Sequence, residues 1–339
     1  MARGRLQPSK FNSARLQPML RLAILDDYAS VALQMADWSP LDGRCRVDVI
    51  DRALAVPDEA ADVLAPYDVL CHLRERTAMP RALIERLPQL KLVTITGAEH
   101  RTLDLQAARE RGIVVCHSAN RPGSGQGQGT PELTLGLMLA LARSIAHEHG
   151  GMRAGAWQTT VGTTLFGRTL GVVGLGRVGR RVAELARAFG MDVVAWSPNM
   201  TAGQAEAAGA RLVPKHELFA SSDYVSLHLV LGDRSRGIVG AAELAAMKPT
   251  AFIVNTARGP LIDEAALMSA LAGRRIAGAG LDVFWNEPLA WDHPVRALPN
   301  AVLTPHLGYV VEESLRAFYE DTVENVVAWL DGKPIRIVV

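Results

Sequence analysis

The stretch GVVGLGRVGRRVAELARAFGMDVVAWSPN, residues 171–199, places a glycine-rich turn between an apolar run and an amphipathic segment. GVV predicts the end of a β-strand and RVGRRVAELARAFG predicts a helix, so the glycines stand at a strand-to-helix turn. In such a turn the first glycine permits a sharp bend, the second lets the backbone approach a pyrophosphate, and the third allows close packing. The start of the helix adds free N–H groups and a positive dipole end. The predicted dinucleotide contacts are Gly174, Gly176, Arg177, Val178 and Gly179.

Composition limits the partners that this site could serve. The chain has 339 residues, with 36 Lys and Arg against 35 Asp and Glu, so no overall field attracts nucleic acid or an anionic membrane. Its three cysteines are scattered in apolar runs, which is typical of buried thiols in a reducing compartment. The first 20 residues are charged without an apolar core, so we interpret them as a flexible tail. These features predict a cytoplasmic protein with neither a nucleic-acid nor a membrane partner.

The order of elements predicts two α/β domains. From residue 21 to 118, short β-rich runs alternate with helical segments, and a second series of the same kind runs from Leu170 to His306. Between them, NRPGSGQGQGT at 120–130 is a hinge or a surface loop, and we favour the hinge because a new α/β series follows it. The sequence then predicts one long apolar helix over 131–150 and an amphipathic helix near the C-terminus.

Reactive side chains follow several strands of the second series. Arg258 comes after AFIVN, Asp282 and Glu287 lie in GLDVFWNEP, and His306 lies in TPHLG. Each alone is explained by an ordinary solvated or buried position. Because ligands of open parallel sheets collect at the carboxyl ends of the strands, their shared location favours a catalytic group beside the cofactor.

In this order and spacing, GVVGLGRVG, NTARGPLIDEAAL, GLDVFWNEPL and TPHLG resemble the D-isomer-specific 2-hydroxyacid dehydrogenase family over residues 21–339. The resemblance implies a Rossmann-type doubly wound parallel sheet domain, 119–306, inserted into a second, flavodoxin-like α/β substrate domain, 21–118 with 307–339. It also implies hydride transfer between a nicotinamide cofactor and a small 2-oxo or 2-hydroxy acid, D-specific, in a homodimer.

The resemblance assigns roles to individual residues. Arg258 resembles the arginine that binds the substrate carboxylate and polarises the 2-oxo group. His306 resembles the acid that protonates the carbonyl oxygen, and Glu287 its partner, whose charge keeps the imidazolium populated. Asp282 resembles the residue that bonds the nicotinamide carboxamide, and Thr130 a threonine near the cofactor phosphates.

Substrate choice is expected to depend on the first domain. LRERT at 73–77 resembles the loop that meets the substrate carboxylate through backbone N–H groups, and Gly97 resembles a second substrate-side glycine. The predicted contacts there are Leu73, Arg74 and Gly97, whereas Glu99, His100 and Arg101 depart from the family and either reshape the pocket mouth or are solvated. A glyoxylate- or hydroxypyruvate-type substrate is the leading expectation. Phosphoglycerate dehydrogenase and a nucleotide-sensing, corepressor-like binding protein are the alternatives.

Ser197 stands where an NAD-selective site has an acid at the second strand end. The charge that repels the extra phosphate of NADP is therefore missing, and we expect NADP or NAD to bind, with a preference for NADPH. Arg234, Arg236 or Lys215 could reach that phosphate from neighbouring loops. A metal is not expected, because the HxH pair His147 and His149 would point to different helix faces.

Overall fold

The structure is a computed structural model and describes residues 19–97, 100–119, 125 and 127–339. Packing divides the chain into two compact units, of which one runs to Ala119 and is completed by Phe318–Val339, and the other is Asn120–Ala317. Of the expected tail, residues 1–20, all but the last two lie outside the described part, and Leu20 already opens a strand. The domain limits expected from the sequence, 21–118 with 307–339 and 119–306, stay predictions.

The first unit is a parallel α/β unit. Its strands are β1 (Leu20–Leu25), β2 (Cys45–Ile50), β3 (Val69–His72), β4 (Leu92–Ile95) and β5 (Val114–His117). They pair in the order β2-β1-β3-β4-β5, which is the flavodoxin-like order, as expected. The helices before the second unit are α1 (Ala32–Met35), α2 (Pro57–Leu64), α3 (Arg81–Ile84) and α4 (Leu105–Glu110), with a 3-10 turn at Ser39–Leu41. Cys45, Cys71 and Cys116 are all buried in this unit.

The second unit is a seven-stranded parallel sheet with helices along both faces. Its strands are β6 (Thr169–Val173), β7 (Asp192–Trp196), β8 (Arg211–Leu212), β9 (Tyr224–Leu227), β10 (Phe252–Asn255), β11 (Gly278–Leu281) and β12 (Ala301–Leu303). Their order is β12-β11-β10-β9-β6-β7-β8. The chain thus winds outward from β6 in one direction and then, from β9, in the other, which confirms the doubly wound Rossmann-type fold.

Two apolar cores cover the two faces of this sheet. Successive strand residues alternate between them, because side chains along a strand point to opposite sides. Val172 belongs to one core and Val173 to the other, and Ile253 and Val254 divide in the same way. The helices packed on these faces are α5 (Gly129–Ala142), α7 (Arg177–Ala188), α8 (Ala202–Glu206), α9 (Lys215–Ser221), α10 (Ala241–Ala246) and α11 (Glu264–Ala272), and α6 (Ile145–Arg153) follows α5 without a residue in either core. Short 3-10 turns lie at Gly259–Leu261 and Pro294–Ala297.

The expectation of one long helix over 131–150 was wrong, because α5 and α6 are separate. Ser144 between them has a left-handed backbone, with a φ of +51°. A single residue in that region ends the α-helical hydrogen-bond pattern, and a new helix begins directly after it. Within the described residues, no helix has both the length and the apolar character needed to cross a membrane.

The chain ends on the first unit. The last helix is α12 (Glu312–Leu330), and of its expected apolar side Leu315, Tyr319, Val323 and Val326 are buried whereas Leu330 is half-buried. After it, the Val338 N–H donates to the Val115 carbonyl at 2.7 Å, and the Val115 N–H donates to the Val339 carbonyl at 2.8 Å. The last five residues, 335–339, therefore pair antiparallel with β5 at the edge of the sheet.

Candidate active site

The glycine-rich turn has one glycine that the protein's own packing does not require. Gly174 has a φ of +95°, a region that favours glycine. A Cβ on Gly179 would lie 2.1 Å from the Gly174 carbonyl oxygen, so helix α7 could not pack so closely on the turn. A Cβ on Gly176 would meet no protein atom within 4 Å. The open space at Gly176, at the start of α7, fits the approach of a pyrophosphate to helix N–H groups.

A cavity of about 810 Å³ opens at this turn, within the size range of small-molecule sites of roughly 300–1,000 Å³. It lies at the carboxyl ends of β6 and β9, which are neighbours in the sheet although the chain leaves them in opposite directions. This is the switch point at which open α/β sheets bind ligands. Its lining includes Gly174, Gly176, Ser197, Asn199, His228 and Arg234. The residues present therefore fit a dinucleotide.

The lining of this cavity carries charge. Arg180 and Arg234 line the cavity together with Asp233. Arg180 was missed by the sequence reasoning, although its position directly after the third glycine was the available signal. Two cations against one anion favour an anionic ligand group in the cavity.

Lys215 is held by hydrogen bonds and is not among the residues that line this cavity. Its Nζ donates to the Ile238 carbonyl at 2.6 Å and to Glu243 Oε1 at 2.8 Å, and lies 5.7 Å from the centre of the Trp196 ring. These contacts hold the ammonium within the protein. Of the three cations considered from the sequence, only Arg234 is among the lining residues of the cavity.

His228 is a second cavity residue that the sequence reasoning missed. It follows β9 directly, so its place at the carboxyl end of a strand was the signal that could have identified it. Burial lowers the pKa of His228 to about 3, and its Nε2 lies 2.8 Å from the Ser226 hydroxyl. The ring is therefore neutral at physiological pH and presents no charge to a ligand in the cavity.

Arg258 follows β10, and its backbone is fixed by a neighbouring side chain. Asn255 Nδ2 donates to the Arg258 carbonyl at 2.8 Å, and Asn255 Oδ1 accepts from the Ala257 N–H at 3.1 Å. The guanidinium Nη1 donates to the Ala257 carbonyl at 2.7 Å. Asn255 is buried at the strand end, so it sets the direction in which Arg258 leaves the sheet.

Glu287 and His306 form a close pair. His306 Nδ1 lies 2.5 Å from Glu287 Oε2, and Glu287 Oε1 accepts from the Phe284 N–H at 2.8 Å. Burial acts to raise the pKa of the Glu287 carboxyl, but the hydrogen bond and charge of His306, with the charge of Arg258, bring it below its usual value. An ionised carboxylate at Nδ1 requires the proton there, which leaves Nε2 as the nitrogen for chemistry.

Asp282 holds the loop that carries His306. Its carboxylate is fully buried and accepts hydrogen bonds from the Thr304 hydroxyl at 2.6 Å, the Leu307 N–H at 2.7 Å and the Gly308 N–H at 2.9 Å. Burial raises the pKa of this carboxyl, against the hydrogen bonds, which lower it. These contacts keep His306 in its left-handed conformation, with a φ of +56°. A contact of Asp282 with the nicotinamide carboxamide stays a prediction.

Thr130 also contacts the loop that carries His306. Its hydroxyl donates to the Gly308 carbonyl at 2.8 Å. A Cβ on Gly308 would lie 3.0 Å from that hydroxyl oxygen, so the glycine allows the close approach. The contact ties the start of α5 to the loop of His306, and the expected role of Thr130 near cofactor phosphates stays a prediction.

The predicted substrate residues of the first unit lie at the carboxyl ends of β3 and β4. The Arg74 N–H donates to the Thr96 hydroxyl at 2.7 Å, and Arg74 Nη1 donates to the Thr96 carbonyl at 3.0 Å. A Cβ on Gly97 would lie 2.0 Å from Arg74 Nη1, so the guanidinium covers this glycine. Leu73 is buried. Substrate contacts of Leu73, Arg74 and Gly97 stay predictions.

The three residues after Gly97 that depart from the family pattern, Glu99, His100 and Arg101, differ in what the structure shows of them. Glu99 lies outside the described residues. His100 is buried, with its ring edge-on to that of His72 at 5.0 Å, so it is not a solvated loop residue. Burial lowers the pKa of His100. Arg101 is exposed, and its N–H donates to Glu75 Oε1 at 2.9 Å.

Two further expectations concern the segment before β6. Most of the expected hinge, 120–130, lies outside the described residues. His147 Nε2 lies 3.1 Å from the Thr159 hydroxyl. In the part of the chain that the structure describes, His, Cys, Asp and Glu side chains do not gather in threes as metal ligands would.

Comparison with known proteins identifies the family. The model of the D-isomer specific 2-hydroxyacid dehydrogenase NAD binding domain matches residues 135–308. The chain is 38% identical over 279 residues to D-3-phosphoglycerate dehydrogenase of Methanocaldococcus jannaschii, covering 81% of this chain and 52% of that protein. It is 36% identical over 286 residues to glyoxylate reductase of Aeropyrum pernix, covering 79% of this chain and 84% of that protein.

Among solved structures, a phosphoglycerate oxidoreductase from Vibrio cholerae superposes with a TM-score of 0.86 at 34% identity, covering 93% of this chain and 100% of that one. The chain spans about half the length of the D-3-phosphoglycerate dehydrogenases that it resembles. The matched domain, the sheet order and the strand-end residues agree: this chain belongs to the D-isomer-specific 2-hydroxyacid dehydrogenase family and carries its nicotinamide-nucleotide-binding domain.

Proposed function

We propose that the protein transfers a hydride between a nicotinamide cofactor and a small 2-oxo or 2-hydroxy acid, with D-specificity. The observation that carries the proposal is the arrangement after β10, β11 and β12, where Arg258 follows one strand end and the Glu287–His306 pair, 2.5 Å apart, follows the next two. A fixed cation for a carboxylate and a paired acid for a carbonyl oxygen are what reduction of a 2-oxo acid requires.

Each side chain has a separate part in this proposal. The guanidinium of Arg258 binds the substrate carboxylate through two N–H groups and polarises the 2-oxo group. When bound, the reduced nicotinamide supplies the hydride that adds to the carbonyl carbon. His306 Nε2 donates its proton to the carbonyl oxygen, and Glu287 stabilises the imidazolium beforehand. In the oxidation direction the same nitrogen accepts the hydroxyl proton.

The substrate class we propose is of the glyoxylate or hydroxypyruvate type. The glyoxylate reductase similarity, which covers most of both chains, supports it. The D-3-phosphoglycerate dehydrogenase relatives make 3-phosphoglycerate the second candidate, since their identity to this chain is as high or higher.

The cofactor we propose is NADP or NAD, with a preference for NADPH. Ser197 at the end of β7 adds no negative charge, and Arg180 and Arg234 line the same cavity. A guanidinium can pair with the 2′-phosphate that distinguishes NADP, whereas an acid at Ser197 would repel it. Asp233 also lines the cavity and limits its positive potential, which leaves NADH as an acceptable cofactor.

We further propose a homodimer formed through the segment after α5. Helix α6 has no buried residue, and large apolar side chains are exposed along and after it. The exposed fraction is 51% at Ile145, 59% at Met152, 72% at Trp157, 99% at Val161 and 77% at Phe166. Large apolar side chains exposed on one segment favour a protein contact there. A monomer by light scattering at low protein concentration would contradict this part.

The test of the activity is a spectrophotometric panel with NADH and NADPH against glyoxylate, hydroxypyruvate, pyruvate and 3-phosphohydroxypyruvate. Consumption of reduced cofactor with one of the small acids supports the proposal, and preference for the phosphorylated acid favours the phosphoglycerate reaction. Silence with every acid, together with measurable nucleotide binding, favours the corepressor-like alternative.

A further inference from the structure

Two contacts join the segment that carries Arg258 to the segment that carries Glu287. A Cβ on Gly259 would lie 2.1 Å from the Phe284 carbonyl carbon, so the backbones approach more closely than any other residue type allows. Beside this approach, Trp285 Nε1 donates to the Ile262 carbonyl at 2.8 Å. The indole hydrogen bond therefore fixes the position of the segment with Glu287 relative to the segment with Arg258.

The His293 ring packs against the face of the Trp285 indole. The two rings stack with centroids 6.0 Å apart and planes 15° apart. The Val295 N–H donates to His293 Nδ1 at 3.2 Å, so this nitrogen is the acceptor, and the proton lies on Nε2. Nε2 then donates to Glu264 Oε1 at 2.8 Å. With both ring nitrogens engaged, the plane of His293 cannot rotate, and Trp285 stacks on a fixed surface.

Trp285 is the next residue in the chain after Phe284, whose backbone N–H holds Glu287. The Phe284 N–H, which precedes Trp285 in the chain, donates to Glu287 Oε1 at 2.8 Å, and Glu287 Oε2 meets His306. A tilt of Trp285 would move this N–H and so change the direction of the carboxylate. We propose that Trp285 and His293 are positioning residues that aim Glu287 at His306. The inference rests on the proposed function, from which the roles of Glu287 and His306 come.

The first variant is Trp285→Phe, which keeps an aromatic face for His293 but removes the N–H given to Ile262. We expect kcat for reduction to fall about fivefold, as the loss of one partly buried hydrogen bond allows. Cofactor affinity should be unchanged, since neither residue lines the dinucleotide cavity. The matched control is Trp291→Phe in the same segment, whose side chain is 87% exposed and whose substitution should change neither quantity.

A double-mutant cycle separates positioning from a general effect on folding. In a Glu287→Gln background, Trp285→Phe should have no further effect on kcat, because the carboxylate that it aims is gone. His293→Asn keeps an acceptor for the Val295 N–H but loses the Nε2 donor, and it should likewise have no further effect on kcat in the Glu287→Gln background. This variant replaces Trp285→Phe in the cycle if Trp285→Phe lowers the melting temperature. Independent, multiplying effects of the two changes, or an unchanged kcat in Trp285→Phe, would overturn the inference. Normal turnover of Glu287→Gln alone would instead contradict the proposed function.

Discussion

Replacement of Gly176 by alanine tests whether the glycine-rich turn binds a pyrophosphate or only packs. The ideal Cβ at this position meets no protein atom within 4 Å, and the φ of −74° is open to alanine. The free energy of unfolding should therefore stay within about 0.5 kcal/mol or rise slightly, as for exposed compatible sites. The methyl group occupies the space in which a pyrophosphate approaches the start of α7. Losing hydrogen bonds there costs about 1–3 kcal/mol, roughly fivefold to 150-fold in Kd for the cofactor.

Gly179→Ala is the matched comparison. Its Cβ would lie 2.1 Å from the Gly174 carbonyl oxygen, so the helix must move away from the turn, at a cost of about 1–3 kcal/mol of stability. Thermal unfolding of both variants and titration with reduced cofactor, followed by fluorescence, give the two quantities. If Gly176→Ala unfolds as easily as Gly179→Ala, or binds cofactor as tightly as the unchanged protein, the reasoning about the open space is refuted.

Three further predictions concern single side chains. Arg258→Lys should lower kcat/KM at least about tenfold despite the conserved charge, because the planar fork is lost; near-normal kinetics would remove Arg258 from the mechanism. Glu287→Gln should lower kcat for reduction at least about tenfold, since the carboxylate whose lowered pKa keeps it ionised beside His306 is gone; an unchanged kcat would remove this pair from the mechanism. Ser197→Asp should weaken NADPH binding by about 1–3 kcal/mol and spare NADH, by like-charge repulsion; an unmoved Michaelis constant for NADPH would show that Ser197 does not face the ribose.

The sheets could be predicted from the sequence because their signals are local. A β-rich run, a glycine turn and a helix follow one another at residues 169–188, and that order is enough to place a strand and its cofactor end. Because ligands of open parallel sheets bind at the carboxyl ends of strands, the sequence also predicted that Arg258, Glu287 and His306 belong to one site. The same rule applied to every strand would have added His228, which stands directly after β9.

Other features depend on contacts between distant parts of the chain and could not be predicted. The break at Ser144 has no glycine or proline to mark it, and its left-handed backbone is visible only in the structure. His100 is buried against His72, a residue 28 positions earlier, so its loop position could not decide between the two alternatives that the sequence left open. The three hydrogen bonds to Asp282 come from one returning loop, and the strand end alone did not indicate that it would hold His306.

The central claim is that His306 delivers the proton during hydride transfer, and His306→Gln tests it most directly. Oxidation of the reduced cofactor by hydroxypyruvate should be followed in single turnovers for the unchanged protein and the variant, with chiral analysis of the product and a parallel cofactor titration. We predict a D-2-hydroxy acid from the unchanged protein. In the variant, turnover should be slower by at least about a hundredfold, the scale of general acid catalysis, with nearly unchanged cofactor affinity. A variant that reduces hydroxypyruvate at a comparable rate, or an L-product from the unchanged protein, would contradict the account.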